Sequence, residues 1–420
     1  MEGQDISRDY GERNANTPSS TSPLRIVIIG AGIGGMAAAV GLRRNGHIVH
    51  LYEKSSFAHE FGAAAHMCPN ASGILRAWGI FAETFGATPM SRLIEYAKDG
   101  ELQTDRDLTS ENKRWRHPWH LVYRVALHET LKEIATSEEG PGIPARLFTS
   151  SRAVAVDPEQ GTVTLEDGAR VAADVVIGAD GIYSTTRKYI QDVKLLSSGK
   201  AAFRFMIPRS IAEADDTAAP LVKPLNALTL WYGDDRRVVM YLCQNNQLLN
   251  IICIHPEAES HAVQSDEWDK QASLDQVLKV YEDFDPRLKA LFMKADPSTI
   301  KVWQLLDVEK LPNWATGKLA LIGDAAHPFT PYQGQGAAQA IEDAAALSIV
   351  LPRSITPEEV PARLKLYESI RYERAHTIQH FSRLAGRDWI DGKPQVDTTE
   401  FQTYNFSHDE IAHASAALKE

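Results

Sequence analysis

The stretch Leu24-Arg25-Ile26-Val27-Ile28-Ile29-Gly30-Ala31-Gly32-Ile33-Gly34-Gly35 decides the fold, together with His47-Ile48-Val49-His50-Leu51-Tyr52-Glu53 that follows it. Leu24–Ile29 is apolar apart from Arg25, the pattern of a parallel strand buried on both faces. Ile33–Asn45 then reads as a helix stopped by Gly46, and His47–Tyr52 as a second strand. The result is a βαβ unit with a right-handed crossover. Its turn fits GxGxxG through Gly30, Gly32 and Gly35. The first glycine permits a tight turn, the second lets a pyrophosphate approach the backbone, and the third lets helix and strand pack closely. Free N–H groups at the helix start favour phosphate, and Glu53 stands where a carboxylate accepts hydrogen bonds from ribose hydroxyls. An acid there disfavours a 2′-phosphate, which leaves FAD or NAD as the bound dinucleotide.

Around this unit the chain reads as an ordinary globular enzyme. It has 420 residues, 44% of them hydrophobic and 24% charged, enough for two cooperating domains. A formal net charge of -11, with no basic run, argues against a nucleic-acid partner. Cys68, Cys243 and Cys253 show no CxxC spacing, so no metal site is expected and a reducing, cytoplasmic compartment is. Leu24–Val40 is glycine-broken and short for a membrane span, and residues 1–23 read as a disordered leader.

Further on, Ser72–Trp78 and Val125–Ala135 have helical spacing, and Thr162–Leu165 with Ala169–Ala172 reads as a hairpin. Val175–Ile177 is a short buried strand. From about residue 200 to 256 the pattern becomes β-rich, with strands Ala227–Tyr232, Arg237–Cys243 and Leu248–His255. Ser273–Ala295 turns helical, Leu319–Ile322 is another core strand, and Ala337–Val350 and Arg363–Arg387 are helices. The expected fold is α/β: a discontinuous Rossmann-type domain over 24–195 and 300–350, an inserted antiparallel sheet over 196–299, and C-terminal helices over 351–420. The exposed faces of those last helices leave monomer and homodimer both open.

Three ordered motifs resemble a family. Val175-Val176-Ile177-Gly178-Ala179-Asp180-Gly181, with Ser184 and Arg187, resembles the GADG motif of group A flavoprotein aromatic hydroxylases. Gly323-Asp324-Ala325-Ala326-His327-Pro328, running on to Pro331-Tyr332-Gln333-Gly334-Gln335-Gly336, resembles the second flavin motif of that family, and Arg124 its flavin-contacting arginine. The salicylate hydroxylase-like branch, with fungal phenol hydroxylases and dearomatising monooxygenases, is the nearest likeness, over residues 24–385. The resemblance implies bound FAD, held by Gly30, Gly32, Gly35, Glu53, Lys54, Gly62, Ala63, Arg124, Asp180, Asp324, Gly334, Gly336 and Ala337. With no second GxGxxG, NADH or NADPH is expected to visit only transiently.

The implied reaction is hydroxylation of a small phenolic aromatic by O2 through a flavin C4a-hydroperoxide, with decarboxylation or dearomatisation left open. Arg204 resembles the arginine that holds phenolate in the dearomatising branch, and Tyr241 the tyrosine of the same sheet that faces the flavin. Asp180 and Arg187 fit an ion pair as readily as a ligand contact. His66 stands where an apolar residue is expected, and its spacing fits structural burial better than the pocket. Oxidation of an alkene or indole, and a flavin-loaded redox sensor, are the competing readings.

Overall fold

In the computed structural model, residues 22–57, 63–260, 270–388 and 396–419 are described; the leader through residue 21 and Gly62 lie outside them. The strand Arg25–Ile29 sits at the centre of a six-stranded sheet between Ile48–Tyr52 and Val175–Gly178. Arg146–Phe148 extends one side, and Leu319–Leu321 with the short Ala315–Thr316 the other. Every pairing is parallel except the last, and Ile26, Val27 and Ile28 have no exposed surface. Such strands need both faces covered. The helices Ile33–Arg44 and Gly336–Val350 cover one face in close contact, where a Cβ on Gly34 would lie 3.2 Å from Ala340 Cβ. The small sheet Ala153–Asp157, Thr162–Leu165 and Arg170–Ala172 covers the other.

A second, seven-stranded sheet runs in the order Lys301–Val308, Leu195–Pro208, Leu248–Pro256, Arg237–Cys243, Ala227–Tyr232, Arg92–Ala97 and Leu102–Asp107. Its neighbours are antiparallel, save the parallel pair Ala227–Tyr232 and Arg92–Ala97. Two of its strands come from 92–107 and one from 301–308, so the pairing draws on chain outside 196–299. Residues of one face, Phe203, Phe205, Trp231, Val238 and Ile251, bury against the helices Leu274–Val280 and Pro286–Phe292. The sequence pattern suggested continuous helix over 273–295. The break falls at Asp285-Pro286, where Asp285 caps the new helix by accepting from the Arg287 N–H at 2.9 Å and proline supplies its first residue. Among the described residues no helix is long and apolar enough to cross a membrane.

Candidate functional site

One cavity of about 2010 Å³ runs between the two sheets, lined by residues from Ile29 to Phe406. That is roughly twice the upper size of an ordinary small-molecule pocket, and matches a dinucleotide lying beside a second ligand.

At one end Gly30 leaves the first strand with φ +97°, its N–H donating to the Tyr52 carbonyl at 2.9 Å. A side chain on Gly30 would overlap the Ala179 carbonyl, and one on Gly35 the Gly30 carbonyl. Gly32 differs: no atom lies within 4 Å of the position its Cβ would take, and the residue lines the cavity. This is a cradle open toward a ligand's phosphates, with the other two glycines needed to shape it. Glu53 Oε2 accepts the Ala31 N–H at 2.9 Å and Oε1 the Ser55 N–H at 2.8 Å, fixing the carboxylate on the cavity wall beside Lys54. The Ala31 carbonyl is held by His128 Nε2 at 2.7 Å.

The second motif follows the strand Leu319–Leu321. Arg187 is buried and clips two loops together, donating to Ala325 O at 2.8 Å, Asp324 O at 2.7 Å and Ile182 O at 3.0 Å. Asp180 is not its partner: the carboxylate takes the Ser184, Thr185 and Thr186 hydroxyls and two backbone N–H groups of its own loop, while still lining the cavity. Asp324 turns its carboxylate into the cavity, where burial raises its pKa against the opposing fields of His327, Arg124 and Arg187. Ala63 and Arg124 meet at the same wall, the Arg124 N–H donating to Ala63 O at 2.7 Å.

The helix Gly336–Val350 points its start at this wall. Gly334 turns the chain at φ +62°, no side chain caps the helix, and nothing lies within 4 Å of a Cβ on Gly336. Uncapped N–H groups at the positive end of a 15-residue helix are suited to negative charge on a flavin pyrimidine. Beneath them lies a buried ionic network. Arg371 donates to Glu342, Asp343 and Glu410 at 2.6, 2.9 and 2.9 Å, and Arg374 forms a second pair with Glu342. Burial opposes the charge on Glu342, yet the two arginines hold its pKa well below the usual range.

The opposite wall is the seven-stranded sheet, through the face that its helices leave uncovered. The pairing lays Lys301, Arg204, Ile252, Val239, Leu230 and Glu95 in one row, and Met206, Asn250, Tyr241 and Leu228 in the next. Arg204 donates to the Ala64 carbonyl at 2.6 Å, lies over the Trp303 ring at 5.2 Å and sits against the Tyr241 hydroxyl. Burial lowers the Arg204 pKa and raises that of Tyr241, which stays a neutral donor. His66 stacks edge-on to Tyr241 at 5.0 Å and against Trp119 at 5.7 Å.

The structure therefore brings the sequence-derived residues around one cavity, apart from Gly35, which packs against the Gly30 carbonyl behind the wall, and Gly62, which is not described. His66 lines the cavity, contrary to the structural reading its position favoured. Sequence reasoning missed Trp119, the Arg371 network and the helix Thr399–Phe406, whose Asn405 donates to Gln333 at 2.7 Å and whose Phe406 packs on Trp119. The acid pair Glu342-Asp343 inside a largely apolar helix was a signal for the network. His408, Glu410 and His413 also gather within 4.8 Å, with Glu410 committed to Arg371 and His408.

Comparison with known proteins adds a family. The family described as "FAD binding domain" matches residues 24–382. The FAD-dependent monooxygenase cfoG of Aspergillus candidus is 34% identical over 386 residues, covering 87% of this chain and 86% of that protein. Hispidin-3-hydroxylase of Neonothopanus nambi is 32% identical over 374 residues, covering 86% and 88%. Among solved structures, CtdE in complex with FAD and a substrate superposes with a TM-score of 0.81 at 23% identity, over 94% of this chain and 99% of that one.

Proposed function

We propose, on the premise that this chain belongs to the FAD-binding-domain family of FAD-dependent monooxygenases, that it hydroxylates a small phenolic aromatic with O2 and NADH or NADPH. One observation carries the reading. The glycine cradle and uncapped helix start form one wall of a cavity whose other wall is an apolar sheet face bearing Arg204 and Tyr241. The names of the relatives support it, one of them being a hydroxylase of hispidin.

FAD held in this cradle would supply the redox chemistry between a nicotinamide cofactor and O2. Gly32 would receive its pyrophosphate, Glu53 its ribose hydroxyls and Asp324 its ribityl chain, while Gly334, Gly336 and Ala337 would offer backbone N–H groups to the pyrimidine. Asp180 acts at one remove, by shaping the loop that Arg187 locks. Arg204 and Tyr241 hold the phenolic oxygen. A fixed cation and a neutral hydroxyl favour phenolate over phenol and so enrich the ring in electrons. Leu228, Leu230, Val239, Ile252 and Ile254 exclude water from the ring.

The test is anaerobic stopped-flow reduction of the purified flavoprotein by NADH and NADPH, with and without a panel of phenols and hydroxybenzoates. Acceleration by orders of magnitude with a phenol, and oxygen found in its product, is the expected result. Slow reduction indifferent to every phenol overturns the reading.

A further inference from the structure

His66 stands where a ring held by Arg204 and Tyr241 has to end. It sits on the strand Ala64–Met67, which pairs with His120–Tyr123, and this pairing brings Trp119 alongside. The imidazole is edge-on to Tyr241 with 5.0 Å between ring centroids, and Gly334 is close enough that a Cβ there would lie 2.8 Å from the imidazole carbon Cγ. Its nitrogens have no hydrogen-bond partner among the described residues, although the side chain lines the cavity. Two donors at this end are buried outright without a partner among those residues, Arg204 Nε and Trp119 Nε1, while His66 is partly buried. Buried polar atoms normally find partners, and unpaired ones in a pocket mark where a ligand's polar atoms belong.

A phenol with one oxygen, placed at Arg204 and Tyr241, leaves His66 and Trp119 unsatisfied. Each such group costs about 1–3 kcal/mol if water is excluded. We infer that His66 is a specificity-determining residue: its imidazole pairs with a second hydroxyl on the ring whose first oxygen lies at Arg204 and Tyr241, so that dihydroxylated aromatics are preferred over monohydroxylated ones. This rests on the phenol reading and narrows it. Burial holds the His66 pKa down at about 4, so the imidazole is neutral at ordinary pH and offers one donor and one acceptor. A group so reluctant to be protonated acts as a hydrogen-bond partner for a hydroxyl and not as the base that removes its proton. A second ring oxygen also makes the ring a better electron donor, which the reaction requires.

The experiment measures dissociation constants of phenol, catechol, resorcinol and hydroquinone from the perturbation they cause in the visible absorbance of the holoenzyme. Turnover constants for the same compounds are measured alongside. His66→Phe keeps an aromatic ring against Tyr241 without the nitrogens, and His66→Gln keeps a donor and an acceptor. The wild-type protein should bind at least one diol roughly tenfold or more tighter than phenol, as expected when a site is built around a hydroxyl. H66F should erase that preference by weakening the diol and binding phenol no more weakly than the wild type, and H66Q should retain most of it. Equal binding of phenol and every diol by the wild-type protein, or a preference that survives in H66F, overturns the inference and leaves the phenol reading intact. Where H66F does not fold, His66→Leu takes its place, and a preference that survives in it overturns the inference. If neither phenol nor the diols perturb or speed reduction of the flavin, the phenol reading falls and takes this one with it.

Discussion

His327 Nε2 lies 2.7 Å from the Asp343 carboxylate, and neither side chain has any exposed surface. The same carboxylate accepts the Gly323 N–H at 2.8 Å and Arg371 Nε at 2.9 Å. One acid on the helix Gly336–Val350 thus fixes the turn that aims Asp324 into the cavity. Asp343→Asn keeps the shape but leaves Arg371 and His327 poorly matched. Removing one member of a buried ionic set costs about 3–5 kcal/mol. A fall in melting temperature together with weaker FAD binding is expected, read by thermal unfolding and flavin fluorescence. An unchanged FAD affinity would show that Asp343 only supports the fold.

The same network fixes the sign of the acid response. Burial alone would raise the pKa of Asp343 and Glu342, but His327, Arg371 and Arg374 outweigh it and depress both. A carboxylate depressed in the folded state contributes its full stability above the unfolded pKa and loses it as pH falls through the folded one. With ordinary values of 3.8 and 4.5, stability from this pair should be level at neutral pH and decline below about pH 4. Charge-neutral variants of both acids should be less stable at pH 7 and show a shallower acid decline. Denaturant titrations at several pH values check this.

Glu53→Gln should weaken FAD binding without unfolding the protein, since the carboxylate is only partly buried and serves the Ala31 and Ser55 N–H groups. A hydrogen bond to a charged group is worth about 1.5–3 kcal/mol, or roughly ten- to a hundredfold in the dissociation constant. Reconstitution of the apoprotein with FAD measures it.

Gly334→Ala meets two penalties at once. The residue sits at φ +62°, and the new Cβ would lie 2.8–2.9 Å from His66 atoms. The backbone cost alone is about 1–2 kcal/mol. Adding His66→Ala removes the imidazole side of the collision, at Cγ and Cδ2, but leaves the Cβ contact and the backbone strain, so the double variant should regain only part of the lost stability. Strictly additive losses would mean that the two positions do not touch.

Arg204→Met should raise the pH at which turnover reaches its maximum, because the substrate then has to ionise nearer its own solution pKa. The loss at neutral pH should be roughly ten- to a hundredfold in kcat/KM, the worth of one charge-assisted hydrogen bond. A variant that loses activity equally at every pH would assign Arg204 to packing.

Much of the fold was legible because backbone geometry dictates particular residues. Gly30 and Gly35 are where a side chain would collide with main chain, so the fingerprint is written in the sequence itself. Ala227–Tyr232 and Arg237–Cys243 were readable to the residue because alternate positions face the helical core and the cavity. Arg92–Ala97 and Leu102–Asp107 were not: together they bury one side chain, Ile94, and their strand state comes from pairing beside Ala227–Tyr232. At the site, Arg204 and Tyr241 were recognised through resemblance. The grouping of His66 with Trp119 depends on a three-stranded sheet joining segments some fifty residues apart in the chain, and no local spacing records it. Asp180 sits in a recognisable motif, yet its hydrogen bonds are to its own loop, which a motif cannot specify.

The cavity wall takes residues from Ile29 to Phe406. During synthesis the cradle for phosphates is translated well before the helix Thr399–Phe406 that packs on Trp119. A nascent chain can thus hold most of a flavin site while its reaction chamber is still open to water. A chain cut short before Thr399 would lack the helix that closes the Trp119 side of that chamber.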